Sequence, residues 1–245
     1  MSLPGHSAER MRRFYAKADV ASAEGGFAVR LDGRSPRSPH GQPLVLPTEA
    51  LAGLVAAEWA AQGENILPET MPATKLAWGA LALVDEGVRR GATARVAGFA
   101  ESDLLCYFAA GPAGLVERQE RRWGPVIDWA ETALCAAFHR TQGVIHQPQP
   151  PATIARIEEL AAAEPDFALA GLTAAAALFG SAILAFALRH GELTPEAAFE
   201  LSRLDETFQE ERWGVDAEAA SRADAMAREA VMLGAWFVAL QPPPG

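Results

Sequence analysis

Lysine, cysteine and tyrosine are scarce in this chain of 245 residues, which has two of each. Cys106 and Cys135 lie far apart and form no CxxC pair, so neither a structural zinc site nor a secreted disulfide framework is indicated. Because each lies in an apolar stretch, we expect two buried thiols in a reducing compartment. Sparse lysine beside abundant arginine and alanine is typical of a GC-rich bacterial genome.

Positive charge is also in short supply, with a net charge of -10 from 31 acidic and 21 basic side chains. Binding to nucleic acid requires clustered lysine and arginine that displace counterions from phosphates, and anionic membrane surfaces select the same residues. The composition therefore argues against both kinds of partner. An acidic surface could suit a basic protein partner, but it also simply keeps a protein in solution.

Motifs of the common enzyme classes are missing too, since there is no GxSxG elbow, no GxGxxG fingerprint and no GxxxxGK[ST] loop. Only His139 and His146 are spaced so that one helical face could carry both, but Gly143 and the prolines that follow predict a helix end between them. We therefore expect no catalytic residue, no metal site and no cofactor. The five histidines are His6, His40, His139, His146 and His190.

The longest uncharged run, Phe167 to Leu188, would be long enough to cross a bilayer. Nine of its residues are alanine, which is only weakly favoured in hydrocarbon compared with leucine, isoleucine, phenylalanine and valine. A helix that is apolar all round can equally be the central helix of a bundle, where small residues let its neighbours approach closely. We predict a single buried helix here and no membrane insertion.

The first third of the chain has the pattern of short strands. Phe27, Val29 and Leu31 alternate with small or polar residues, and a turn signal follows at Asp32-Gly33. A second apolar stretch precedes Thr48, which is a good N-cap for a helix that carries Trp59 on its apolar stripe. This pattern predicts two or three antiparallel strands with one helix on them.

After the prolines at positions 68 and 72, helical periodicity dominates the chain. Pro112 is predicted to open one helix, Pro125 to start another, and Thr194-Pro195 a third, with a last helix over 216–240. The predicted fold class is α+β. A small β-rich N-terminal domain with one helix (1–70) is followed by a larger, all-helical C-terminal domain (71–245).

The densest polar cluster runs from Leu204 to Gly214. On a helix, Asp205, Gln209 and Arg212 lie along one edge, beside an apolar stripe of Leu201, Leu204 and Phe208. Such a run is most often a solvated helix face, and adjacent acids on a helix point in different directions. Trp213 at its end favours a partner-binding surface instead, because tryptophan beside charged groups often anchors partners.

Several short motifs, in a specific order and spacing from about Arg13 to Leu240, resemble the chaperones that assemble the ATP synthase α subunit in mitochondria and alphaproteobacteria. Phe108 departs from the family pattern, which usually has arginine there. The matching motifs are Arg13-Phe14-Tyr15, Leu31-Asp32-Gly33-Arg34, Leu46-Pro47-Thr48, Glu58-Trp59-x-x-Gln62, Met71-Pro72, Ser102-Asp103-Leu104-Leu105-Cys106-Tyr107, Trp123-x-Pro125, Gly180-Ser181 and Leu204-Asp205-Glu206-x-x-Gln209 leading to Trp213-Gly214.

The resemblance implies a protein that is not an enzyme and that holds the unassembled α subunit until a β subunit takes its place. It implies partner contacts at Asp205, Glu206, Gln209 and Trp213. Trp59 is a further candidate contact, although its position on a helix stripe favours the core. A monomer in the bacterial cytoplasm is expected, with eukaryotic relatives in the mitochondrial matrix.

Two other functions stay open on the sequence. One is a small soluble metabolic enzyme with an unrecognised site, which a pocket of convergent polar groups would support. The other is a membrane-associated subunit anchored by Phe167 to Leu188. Neither alternative accounts for the ordered set of motifs.

Overall fold

The computed structural model describes residues 11–143 and 145–241, so His6 lies outside the described residues. Within them the chain divides into two compact units. One, called here the N-terminal unit, comprises residues 11–78 with 239–241; the other, the helical unit, comprises 79–143 and 145–238. The division after Trp78 lies eight residues beyond the boundary that the prolines suggest, and the N-terminal unit also includes residues from the chain's other end.

The N-terminal unit contains a three-stranded antiparallel sheet, in the order β1 (Ala18–Ala23), β2 (Gly26–Leu31) and β3 (Val45–Leu46). Val29 and Leu31 are buried as the alternation predicts. The sequence did not predict β1, because its residues apart from Val20 are small or polar and show no clear alternation. Position 26 has room only for glycine, because a Cβ there would lie 2.2 Å from the carbonyl oxygen of Leu46.

One helix, α1 (Glu49–Ala60), packs on this sheet. The Thr48 hydroxyl accepts a hydrogen bond from the Leu51 amide at 3.1 Å, which confirms the predicted N-cap. α1 buries a stripe that includes Leu51, Val55 and Trp59, as the 3.6-residue periodicity predicts.

Two of the matching motifs contain a carboxylate that accepts hydrogen bonds from backbone amides of this same unit. After β2 the chain turns at Asp32, which has a φ of 48°, and the Asp32 carboxylate accepts hydrogen bonds from the amides of Ala16 (3.0 Å) and Lys17 (2.8 Å). These two bonds hold the pKa of Asp32 below its usual range. The motif around Asp32 therefore ties the segment before β1 to the turn after β2.

The carboxylate of Glu58 caps the next helix, α2 (Pro72–Ala82), by accepting hydrogen bonds from the amides of Ala73 (2.7 Å) and Thr74 (2.8 Å). Burial raises the pKa of Glu58 in spite of these donors. Four residues on, Gln62 bonds Glu58 O, Thr70 Oγ1 and the Leu67 amide. The Glu58-Trp59-x-x-Gln62 motif thus fixes the path of the chain between α1 and α2.

The helical unit is built from the remaining helices of the described chain. Its largest fully buried side chains include Trp123, Phe179, Phe186 and Trp236. The helices are α3 (Glu86–Glu101), α4 (Ala113–Ala133), α5 (Pro151–Ala163), α6 (Asp166–Phe179), α7 (Ala182–His190), α8 (Pro195–Ser202), α9 (Leu204–Trp213) and α10 (Ala217–Ala239). Thr194 caps α8 through a bond from the Ala197 amide, as predicted.

The uncharged run is not the single helix that the sequence predicted. It is divided into α6 and α7 at Gly180, whose φ of +64° ends α6, while the Ser181 hydroxyl caps α7 by accepting from the Leu184 amide. Its burial is as predicted, because most of the side chains in both helices are inaccessible. No helix in the described residues is both long and apolar enough to span a membrane.

Pro125 was expected to start a helix, but it lies inside α4. The buried face of α4 continues on both sides of it, with Trp123 before and Ile127 after. Pro125 is exposed, and so is Arg121, whose carbonyl it leaves without an amide partner in the helix. Packing of the continuous apolar stripe therefore keeps the helix intact.

The α+β class is confirmed, with one addition to the helical part: β4 (Tyr107–Phe108) and β5 (Thr141–Gln142) form a short parallel pair. Such two-residue strands carry no readable pattern. The expectation of two buried thiols is half right. Cys106 is fully buried, and burial raises the pKa of its thiol, whereas Cys135 is exposed just after the end of α4.

Candidate functional site

Helix α9 carries four of the five predicted contact residues. Two polar side-chain contacts and the aromatic ring of Phe208 hold it on α4. Arg118 makes two parallel hydrogen bonds to Glu211, both 2.8 Å long, and Gln119 donates to Asp205 Oδ1 at 2.8 Å. The Phe208 ring is buried beneath the guanidinium groups of Arg118 and Arg212, 5.0 and 4.1 Å from its centroid. These contacts fix which face of α9 is turned outward.

Asp205 belongs to the inward edge of that helix. It is half-buried, and burial raises the pKa of its carboxyl, with a bond from Gln119 opposing the rise and the neighbouring Glu206 charge adding to it. Gln119 is fully buried and also accepts from the Ala109 amide at 2.8 Å. Asp205 therefore positions α9, and Gln119, which sequence reasoning missed, is its partner.

Glu206, Gln209 and Trp213 lie on the outward edge, where they line a groove of about 440 Å³ between α9 and the first half of α10. All three are exposed, and Trp213 is 77% exposed. The structure thus brings together three of the predicted contact residues. The other groove residues are Arg203, Glu210, Gly214, Asp216, Ala219, Arg222, Ala223 and Met226.

Trp59 does not belong to this groove. It is only 5% exposed in the N-terminal unit, where its ring packs edge-to-face on Tyr15 and Trp78 at centroid distances of 5.8 and 6.4 Å. The Tyr15 hydroxyl also donates to the Trp59 carbonyl at 2.7 Å. Trp59 is therefore a core residue and not, as the sequence allowed, part of a contact surface.

Two further motifs that carry the resemblance, those around Asp103 and Ser181, contact each other inside the helical unit. The Asp103 carboxylate is fully buried and accepts hydrogen bonds from Ser181 Oγ (2.7 Å) and from the amides of Ile183 (3.0 Å) and Leu105 (3.1 Å). Burial raises the pKa of Asp103 to about 6, against the opposing effect of these donors. This carboxylate anchors the N-terminus of α7 and is sealed from any ligand.

The histidines among the described residues do not gather into a site. The Nδ1 atom of His146 lies 3.0 Å from the Tyr107 hydroxyl, while the ring of His190 packs against Trp129 and Phe186. Across residues 11–143 and 145–241, no group of three or more histidine, cysteine, aspartate or glutamate side chains could hold a metal ion.

The motifs therefore fall into two kinds. Those around Asp32, Glu58 and Asp103 direct their polar groups to the protein's own backbone, whereas the α9 motif exposes Glu206, Gln209 and Trp213 on a groove. A large exposed tryptophan on a helical surface is typical of a residue that anchors another polypeptide.

Comparison with known proteins identifies the family. Residues 12–131 match the ATP12 chaperone protein family. The crystal structure of Atp12 from Paracoccus denitrificans is 39% identical, with a TM-score of 0.86 over 94% of this chain and 99% of that one. The Atu1473 protein of Agrobacterium tumefaciens is 40% identical, with a TM-score of 0.87 over 94% of this chain and 86% of that one.

A more distant relative is "Protein atp12, mitochondrial" of Schizosaccharomyces pombe, 25% identical over 214 residues, which are 83% of this chain and 74% of that protein. The chain belongs to the ATP12 chaperone family. The family assignment that the motifs suggested is thereby confirmed, and it supports a role as an assembly chaperone of ATP synthase.

Proposed function

We propose that this chaperone binds the unassembled α subunit of the ATP synthase catalytic head, covers its subunit interface and hands it to the β subunit. The single observation that carries the proposal is the outward edge of α9, where Glu206, Gln209 and Trp213 line an open groove in a chain of the ATP12 family. We infer that the protein acts as a monomer, by binding alone and without catalysis, in the cytoplasm of a bacterium.

The physical basis is that the chaperone covers an apolar surface that would otherwise aggregate. A subunit made before its partner exposes an apolar interface that favours aggregation. A chaperone that covers this interface lowers the concentration of exposed surface by mass action. Hand-over then requires only that the β subunit bind the α subunit more favourably than the chaperone does, so no hydrolysis is needed.

A direct test is co-purification from cells that lack the β subunit. Tagged chaperone should retain the α subunit in a stoichiometric complex, and addition of purified β subunit should release it. Recovery of the chaperone without the α subunit under these conditions would contradict the proposal.

We expect Glu206→Lys to weaken α-subunit binding at least about tenfold while leaving the fold intact. Glu206 is exposed and lies at the groove, so reversing its charge changes what a partner meets without removing a buried contact. Titration calorimetry with purified α subunit measures the affinity, and circular dichroism checks the fold. The matched control is Glu229→Lys, an exposed residue of α10 outside the groove with the same change in net charge; equal binding by both variants would reject the assignment of Glu206.

A further inference from the structure

Helix α10 is packed along only half of its length. Every residue that it buries lies from Ala230 onward, including Leu233, Trp236 and Phe237. The first half carries a stripe of small and flexible apolar residues, Ala219, Ala223 and Met226, which is only half-covered. An amphipathic helix is stabilised by burying such a stripe, and within the described chain nothing covers this one fully.

Trp213 lines the same groove from the C-terminal end of α9. α9 ends there because Gly214 takes a φ of +86°, and the chain turns directly into α10. Trp213 is 77% exposed and the nearby Val215 is 60% exposed. A large aromatic side chain left in water beside a half-covered apolar stripe is typical of a surface that a partner covers.

The charges of the groove specify the partner further. Its two guanidinium groups already have carboxylate partners, because Arg203 pairs with Glu210 at 2.6 Å and Arg222 pairs with Glu218 on its own helix. Within the described residues, Glu206 and Asp216 take part in no ion pair, although Asp216 accepts a bond from the Ala219 amide. The rim is therefore left with two carboxylates that a cationic partner would neutralise.

We propose that the groove between α9 and α10 receives an apolar side chain of the client polypeptide that has a lysine or arginine beside it. The apolar side chain enters between Trp213 and the stripe of Ala219, Ala223 and Met226. The basic side chain lies over Glu206 and Asp216 at the rim. This inference rests on the function proposed above, since the client that it describes is the α subunit.

The decisive variants are Ala223→Trp and Ala225→Trp. The first places an indole inside the groove, whereas the second places the same indole on the exposed face of α10, outside the groove. We expect Ala223→Trp to weaken binding of purified α subunit at least tenfold, and Ala225→Trp to bind as the unmodified protein does. Equal melting temperatures for the two variants would show that the loss is not caused by unfolding.

A cross-linking experiment identifies the occupant. A benzophenone amino acid in place of Gln209, at the groove, should cross-link to the α subunit, and the peptide recovered should contain an apolar residue within a few positions of a lysine or arginine. The same group in place of Ala225 should not cross-link. Recovery of an acidic peptide from position 209 would overturn the proposed chemistry.

The remaining outcomes separate the two proposals. If the unmodified protein binds the α subunit and Ala223→Trp binds it equally well, the groove assignment fails and the proposed function stands. If the unmodified protein does not bind the α subunit, the proposed function fails and the assignment fails with it. If Ala223→Trp abolishes a dimer of this chain but keeps the α subunit bound, the occupant is a second copy and the proposal is wrong.

Discussion

Asp103→Ala should lower the free energy of unfolding by about 3–5 kcal/mol. The substitution leaves three buried donors without an acceptor, namely the Ser181 hydroxyl and the amides of Leu105 and Ile183. Each orphaned buried donor costs about 1–3 kcal/mol. Part of this cost is offset because the variant no longer buries a carboxylate, whose raised pKa shows that burial of its charged form is itself unfavourable.

Chemical denaturation of the full-length protein measures this loss, and Ser181→Ala is the natural partner variant. Ser181 bonds Asp103 Oδ1 and also caps α7, so the double variant should lose less than the sum of the two single losses. Additive losses would show that the Ser181–Asp103 contact contributes little and that the carboxylate acts through the amides alone.

The same carboxylate should make the free energy of unfolding depend on pH in a distinctive way. Because the folded-state pKa of about 6 lies above the ordinary value of 3.8, the folded protein takes up a proton at a pH where the unfolded chain is still ionised. This group therefore favours the folded state most at low pH, and its contribution is lost as the pH rises through about 6. The difference between the two pKa values corresponds to about 3 kcal/mol.

Asp103→Asn isolates this effect, since asparagine does not titrate. The stability of the unmodified protein relative to Asp103→Asn should rise as the pH is lowered from 7 to 4, measured by denaturation at a series of pH values. A fall over that range would mean that the three donors hold the pKa of Asp103 below its ordinary value, the opposite of what its burial implies. Other carboxylates, such as Asp32, cancel in the comparison because both proteins contain them.

Trp59→Ala should cost the protein about 3–5 kcal/mol of stability, as is typical when a large aromatic side chain is removed from a core. The indole is almost fully buried and bridges Tyr15 and Trp78, so its loss leaves a cavity and breaks two edge-to-face contacts. The Nε1 atom of Trp59 has no hydrogen-bond partner among the described residues, so no bond of the side chain is lost with it. Thermal and denaturant unfolding give the measurement.

The matched control is the same substitution at Trp213. That side chain is mostly in water, so Trp213→Ala should change the free energy of unfolding by no more than about 0.5 kcal/mol. It should nevertheless weaken α-subunit binding, because it removes one wall of the groove. If Trp59→Ala left stability unchanged and impaired binding instead, the core assignment of Trp59 would be wrong.

Local signals predicted much of the architecture. Thr48 and Thr194 cap helices as their positions before apolar-periodic stretches indicate, and the alternation of Val29 and Leu31 marks a strand with one buried face. Each of these features depends on residues only a few positions apart, which is why a sequence reveals them.

Prediction failed where packing decided between two local possibilities. Pro125 can start a helix or lie within one, and the buried stripe on both sides of it selected the second. Gly180-Ser181 carries the signal for a helix end followed by a cap, but the apolar run around it concealed the break. The short β4–β5 pair depends on residues more than thirty positions apart and left no pattern to read.

By itself, the sequence determined the family, the α+β class and the helix that carries the candidate contacts. These properties follow from the identity and order of residues along the chain. Tertiary structure alone decided the direction of each side chain: Asp205 turns to Gln119, Glu206 and Trp213 turn to water, and Trp59 turns inward. The physical reason is that helical spacing places residues on a face, whereas only the packing of another element can bury that face or leave it open.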